Sequence, residues 1–239
     1  MKILAFDSTA KVASVAVCED KKVLAQYTFD NGLTQSELLL PMAEEILKEL
    51  KLGFSDIELY AASVGPGSFT GVRIGAALIK GLAFGNGTPC AEVSTLEALA
   101  YNLDGMHGII VPTMDARRGQ VYTAIFKSSP DGIERLTEDD AISITSLAQI
   151  LKTYEGERIH LCGDGYTVAK KGLAECGITT ESTPSLLINE NAASVAQVAY
   201  KNYKNGIYTN DTAVKPTYLR MPQAERERLE RINNSEATK

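Results

Sequence analysis

The chain has 239 residues and a formal net charge of −6, long enough for one large core or two modest ones. It has no Lys/Arg-rich block, so it does not build a nucleic-acid surface by itself. The opening apolar run stops at Asp7, too early for a secretory leader, and no run approaches the ~20 residues a membrane span needs, so the expected location is the cytoplasm. Ile3-Leu-Ala-Phe6 predicts a short central strand ending in the turn Asp7-Ser-Thr-Ala10. Val12–Cys18 and Val23–Phe29, separated by the polar turn Glu19-Asp-Lys-Lys22, predict two more strands. Thr34 and Glu37 have capping-box spacing for a helix reaching about Leu50, with Leu39, Met42, Ala43, Ile46, Leu47 and Leu50 in helical register. Pro41 lies inside this pattern and predicts a kink or a late start of regular helix. Ala61-Ala-Ser-Val64 predicts a strand that runs into a glycine-rich turn.

That turn opens the string Ser63-Val-Gly-Pro-Gly-Ser-Phe-Thr-Gly-Val-Arg-Ile-Gly75, which approaches two phosphate-binding signatures and satisfies neither. In G-x-x-x-x-G the second glycine is replaced by Thr70 or Val72, and in G-x-G-x-x-G the third is replaced by Thr70. What remains is a Gly-Pro turn with caps available at Ser68 or Thr70. It either feeds a tightly packed helix or offers backbone N–H groups to an anion. The helix that follows, Gly71 to Gly85, carries two apolar stripes. One is Ile74, Ala77, Leu78, Gly81, Leu82 and Gly85; the other is Val72, Ala76, Ile79 and Ala83. A helix at the rim of a domain needs only one. Two stripes mean burial between layers of its own fold, or one side set against another protein.

The plan then repeats. Tyr101–Gly108 reads as a boundary, and Gly108–Asp115, the turn Ala116-Arg-Arg-Gly119 and Gln120–Phe126 again give strand, Asp-bearing turn and strand. The likeness to Ile3–Val17 points to duplicated lobes. Arg158–Cys162 predicts a strand ending in Gly163-Asp-Gly165, Asn191–Tyr203 a helix, and the charged stretch after Pro222 a frayed tail. Candidate chemistry is sparse. His107 and His160 are far apart, without a second histidine at ligand spacing, so no metal site is expected. There is no G-x-S-x-G elbow. Cys18, Cys90, Cys162 and Cys176 form no C-x-x-C pair and read as reduced small hydrophobes.

Gly65-Pro-Gly-Ser-Phe-Thr-Gly-Val-Arg-Ile-Gly75 resembles the signature of the TsaB (YeaZ) family of bacterial tRNA threonylcarbamoyladenosine biosynthesis. Leu4-Ala-Phe-Asp-Ser-Thr9, Ser36-Glu-Leu-Leu-Leu-Pro41, Asp115-Ala-Arg-Arg-Gly-Gln-Val-Tyr122 and Pro216-Thr-Tyr-Leu-Arg220 fit in order, so the likeness spans roughly residues 2–220. One departure is visible: the family often has His-Ser-Glu where this chain has Gln35-Ser36-Glu37. The resemblance implies an α/β fold of two actin-like lobes, the architecture of the actin, sugar kinase and Hsp70 (ASKHA) superfamily. The lobes are expected at 1–104 and 105–221, with a charged tail at 222–239.

In kinases of this fold the first turn holds a nucleotide phosphate, which makes Asp7, Ser8 and Thr9 candidate anion residues here. The turn lacks glycine, however, and a structural Asp7 bonded to its own turn is the competing reading. Arg117 and Arg118 pair more simply with carboxylates than they orient Mg²⁺. The catalytic homologue uses a His-x-x-x-His pair that this chain lacks, so the resemblance implies no catalytic residue, no intrinsic cofactor and no metal.

The implied role is a scaffold that joins a homologous transferase, which modifies N6 of adenosine 37 in tRNAs reading ANN codons, to a small ATPase. Contact with tRNA is then made only through the complex. The implied partner interface comprises Leu39, Met42, Ile46, Ile74, Ala77, Leu78, Gly81 and Leu82, a surface that can also serve a homodimer. The alternatives are a free-standing nucleotide-dependent kinase of the same fold and, less well supported, a peptidase.

Overall fold

A computed structural model of the chain describes residues 1–30, 35–117 and 119–220. The Thr34 half of the expected capping box, Arg118 and the tail 222–239 therefore lie outside the described residues.

The first half builds one sheet. Its elements are β1 (Lys2–Asp7), β2 (Ala13–Glu19), β3 (Lys22–Phe29), α1 (Gln35–Leu50), β4 (Leu59–Gly65), α2 (Phe69–Ala83), β5 (Cys90–Ser94) and α3 (Thr95–Tyr101). The strand order is β3-β2-β1-β4-β5, with β1 to β3 antiparallel and β4 and β5 parallel to β1. β1 reads as an unbroken apolar run because both of its faces are covered. Leu4 and Phe6 pack under α1 and α2, while Ile3 and Ala5 point to the opposite side. α1 runs unbroken through Pro41 instead of starting late. Leu39, Met42, Ala43, Ile46 and Leu47 anchor it on both sides of the proline, and this burial outweighs the backbone bond that Pro41 cannot make.

The second half builds the other sheet from β6 (Gly108–Asp115), β7 (Gln120–Thr123), β8 (Phe126–Ser129), β9 (Gly132–Arg135), β10 (Asp140–Ser143), α4 (Ile144–Leu151), β11 (Ile159–Cys162) and α5 (Tyr166–Glu175). The single strand expected over Gln120–Phe126 is instead two segments on one ladder. β7 and β8 pair with β6 in the same register, Thr113 opposite Thr123 and Gly108 opposite Ser128. The break falls at Ala124–Ile125, where Ile125 N–H donates to Thr137 Oγ1 at 2.8 Å and Ile125 C=O accepts from Leu136 and Thr137. β9 and β10 extend β8 and β7 outward, and β11 runs parallel to β6 on its other side. The pairing outward from β6 thus repeats that of β3, β2, β1 and β4, which is the duplicated two-sheet α/β plan anticipated from sequence.

Two helices join the sheets. Leu96, Leu99 and Leu103, in and just after α3, pack with Ile110, Met114 and Phe126 of the second sheet, while Ala98 faces the first. The last helix, α6 (Ala192–Lys204), returns to the first sheet, where Val195, Ala196 and Ala199 meet Ile3, Ala5, Leu59 and Val93. Thr217 N–H then donates to Val64 O at 2.8 Å. A division that places all of 105–221 in the second lobe is therefore corrected at its C-terminal end. From α6 onward the chain belongs to the first sheet, because that sheet's second face is apolar and needs a cover.

Candidate functional site

The site begins where β1 ends. Asp7 is buried, and Thr9 donates to its Oδ1 from both backbone N–H (2.9 Å) and Oγ1 (2.7 Å), while Ser63 Oγ donates to Oδ2 at 2.6 Å. Burial raises the Asp7 pKa, opposed by these hydrogen bonds from Ser63 and Thr9. Ser8 is buried as well and donates from Oγ to Gly71 O at 2.9 Å. Gly71 is required here: a Cβ at that position would overlap the Ser8 carbonyl. Ser68 caps α2 by accepting from Gly71 N–H at 3.2 Å and donates its own N–H to Thr9 O at 2.7 Å. The cap is Ser68, and Thr70 lies in the first turn. The glycine string thus clamps the start of α2 onto the 7–9 turn. All three candidate anion residues are buried and bonded internally, and of them only Thr9 lines the neighbouring cleft.

The second lobe repeats this construction. Asp115 Oδ1 accepts from Arg117 N–H at 2.7 Å, with Arg117 at φ 62°, the same i to i+2 turn that Asp7 makes with Thr9. β11 ends in Gly163-Asp-Gly165, and Gly165 N–H donates to Thr113 O at 2.9 Å. Asp164 Oδ1 accepts from Asp115 N–H at 3.0 Å. Burial is the main force raising the Asp164 pKa, opposed by the hydrogen bond from the Asp115 N–H and by the Lys11 charge, while the Asp115 carboxylate charge adds to the rise.

Between the two turns lies a cleft of about 600 Å³. Its walls include Lys11, Phe69, Tyr122, Asp164 and the segment Thr217–Arg220. Gln35, which stands where the family often has histidine, donates from Nε2 to Ala10 O at 2.8 Å and so holds the first turn from α1. The C-terminal segment acts as a strap. Tyr218 Oη accepts from Arg73 Nε at 2.7 Å, the Arg73 guanidinium sits 3.8 Å over the Phe69 ring, and Arg220 Nη1 donates to Ala116 O at 3.0 Å across the cleft. Sequence reasoning saw Pro216–Arg220 only as a family string. Its role depends on contacts nearly 150 residues apart in the chain, which no local pattern encodes.

The proposed partner face divides between the two helices. On α2, Val72, Ala76, Ile79 and Ala83 are buried in the core. Ile74, Leu78 and Leu82 are half-buried, Ala77, Gly81 and Gly85 are exposed, and Phe84 at the helix end is 79% exposed. The two stripes therefore differ in burial, and α2 is not wholly enclosed by its own fold. On α1 the expectation is corrected. Leu39, Met42 and Ile46 are at most 5% exposed and pack into the same core as Phe6 and Tyr60, so they cannot meet a partner. The outward side of α1 is instead Leu40, Pro41, Glu44, Glu45 and Lys48. Both faces of α1 carry leucine, and only the packing decides which is inside.

Among the described residues, no group of three or more His, Cys, Asp or Glu side chains is arranged to hold a metal ion, and no helix is long and apolar enough to cross a membrane. His160 is buried in β11, with Nε2 3.4 Å from His107 O.

The family model TsaD, described as tRNA N6-adenosine threonylcarbamoyltransferase, matches residues 34–228. The TsaB protein of Escherichia coli, a tRNA threonylcarbamoyladenosine biosynthesis protein, is 30% identical over 92% of this chain and 95% of its own length. The chain belongs to the TsaB (YeaZ) family. Bacillus subtilis TsaB is 29% identical over 96% of this chain and 99% of its own length, so the likeness runs the full length of the relative. The solved structure of YeaZ from Pseudomonas aeruginosa superimposes with a TM-score of 0.75 at 21% identity, covering 91% of this chain and 99% of that one. At that identity the superposition speaks to the fold, and it places this TsaB-family chain on the same two-lobed frame.

Proposed function

We propose that this chain is a non-catalytic partner in tRNA threonylcarbamoyladenosine biosynthesis. It docks a homologous threonylcarbamoyl transferase and bridges it to an ATPase. The transferase acts at adenosine 37, and tRNA meets this chain only within the complex. The single observation that carries the reading is the half-open α2. An apolar stripe of Ile74, Ala77, Leu78, Gly81 and Leu82 stays accessible, ending in a Phe84 side chain that projects into solvent. Contiguous apolar surface of this kind marks an interaction site, and the small residues at 77 and 81 allow another helix to approach closely. The same stripe suits a second copy of the chain, so a homodimer competes with the heterodimer for one face. Family membership supports the pathway, and the internally bonded Asp7 weighs against a kinase-like use of the first turn.

The test uses Ala77→Glu, because Ala77 is exposed while Leu78 also packs on the core. A stable complex buries ~1,200–2,000 Å² in total, and an unpaired carboxylate at its centre costs several kcal/mol. The variant should keep the monomer melting temperature within about 2 °C while losing at least ~100-fold in affinity for the transferase. Unchanged affinity on isothermal titration removes α2 from the interface. In a reconstituted reaction, tRNA modification that proceeds equally fast with this chain omitted removes the partner role itself.

A further inference from the structure

The two lobes are joined by a short crossing segment ahead of α6. On one side Gly163 N–H donates to Ile188 O at 2.6 Å, fixing the segment to the second lobe. On the other side Ala192 N–H donates to Ser14 Oγ at 3.0 Å, and Asn191 caps α6, fixing it to the first. Asn102, following α3, holds the middle by donating to Leu187 O at 3.2 Å and Asn189 O at 2.8 Å.

At the centre of this segment sits Glu190. It is 3% exposed, and both of its carboxylate oxygens are buried without a hydrogen-bond partner. An ionised carboxylate in that state is one of the costliest arrangements in a protein interior. The charged groups acting on it come one from each lobe: Asp7 at the end of β1 and Asp164 after β11. Both are acids. The Cys162 thiol on β11 also feels Glu190 and is itself pushed up by burial. Beyond Asp164 stand Asp115, which adds negative charge, and Lys11, which draws Asp164 toward the ionised form. Only the nearby backbone N–H groups of Glu190 and Asp164, short of hydrogen-bond geometry, favour its ionised form, and the acids are not arranged to share a metal ion.

We propose that Glu190 is a proton-controlled hinge element: neutral, it lets the lobes close on each other across the cleft, and on ionisation it drives the Asp7 and Asp164 turns apart. Burial, reinforced by Asp7 and Asp164, lifts its pKa to about 8, so the closed form holds at neutral pH and opening begins in mildly alkaline solution. The device is independent of which partner docks on α2.

Amide hydrogen exchange of the full chain at pH 6 and pH 9, corrected for intrinsic rates, tests it in the wild type and in Glu190→Gln. The wild type at pH 9 should lose protection in peptides covering 7–11, 113–117 and 163–166 about 10-fold or more beyond any loss in β2 and β4. Glu190→Gln should be equally protected at both pH values. Three results overturn the hinge. The first is a wild type whose cleft peptides do not respond to pH, the second a Gln variant that responds equally, and the third a loss of protection no greater in the cleft peptides than in β2 and β4, which is plain global destabilisation. If Glu190→Gln does not fold, the carboxyl ¹³C titration of the wild type decides, and a Glu190 midpoint below pH 6 refutes the proposal.

Discussion

The two carboxylate oxygens of Asp7 already accept from Thr9 and Ser63 inside the protein. Asp7→Ala should therefore read out as a stability defect. Each buried donor left unpaired costs about 1–3 kcal/mol, so the urea midpoint should fall clearly while affinity for the transferase is kept. An Asp7→Ala protein as stable as wild type contradicts the structural role. Glu190 makes the opposite kind of prediction, in pH. Its folded-state pKa of about 8 stands above the ordinary 4.5, so the folded state holds the extra proton. The associated stability is fully present below pH 4.5 and is lost as pH rises through 8. Between pH 6 and 9 the unfolding free energy should fall by roughly 3 kcal/mol, a slope that Glu190→Gln removes. Chemical denaturation at four or five pH values measures it directly.

At the scale of the element, α2 shows how one helix meets two demands. Its buried stripe holds the sheet, its N-terminus is clamped onto the first turn by Gly71, and its outward stripe stays open. Gly81 belongs to the outward stripe, and a Cβ built there meets nothing within 4 Å. A glycine inside an α-helix costs about 0.8–1.0 kcal/mol relative to alanine, so a monomer has no use for it. Gly81→Ala should stabilise the isolated chain by up to about 1 kcal/mol in a denaturant titration. Gly81→Leu should weaken docking, because bulk there holds a second helix away. Both outcomes follow if the glycine serves close approach by a partner. A Gly81→Leu chain that binds the transferase with full affinity argues against it.

For the whole molecule the informative feature is how two similar sheets are held in one orientation. Apart from the core around α3, a half-buried ionic network spans them. Arg135 on β9 pairs with Asp139 at 2.6 Å and Glu97 at 3.3 Å, Lys201 on α6 reaches Glu97 at 3.3 Å, and Ser94 Oγ donates to Asp139 at 2.6 Å. Two carboxylates, Glu97 of α3 and Asp139 after β9, pair with one guanidinium, which also lies 4.7 Å over the Phe126 ring. Arg135→Ala leaves Glu97 and Asp139 partly buried without their main cation. It should cost about 1–3 kcal/mol and separate the unfolding of the two lobes, visible as a broadened calorimetric transition. Arg135→Lys should recover only part of this, since one ammonium cannot span both carboxylates. A sharp, unshifted transition in Arg135→Ala would show that the hydrophobic contact of α3 alone couples the lobes.

The readings that survived from sequence rest on short-range physics. Short apolar and Val/Ala-rich runs located β1, β2, β3, β4 and β11, the helical stripes located α1 and α2, and the glycine string carried a family signature specific enough to anticipate the two-lobed fold. A repeated strand, Asp-bearing turn and strand disclosed the duplication before the shared pairing of β6 with β7 and β8 made it explicit. What local pattern could not decide was which of two apolar faces lies inside. Leu39, Met42 and Ile46 satisfy the spacing of an interface as well as that of a core, and only the sheet beneath them settles the matter. Nor could it place α6 on the first sheet, bring the 217–220 strap to Arg73, or set Glu190 between two aspartates. These depend on chain-distant surfaces meeting, and the energy of burying a carboxylate or covering a sheet face exists only once they have met.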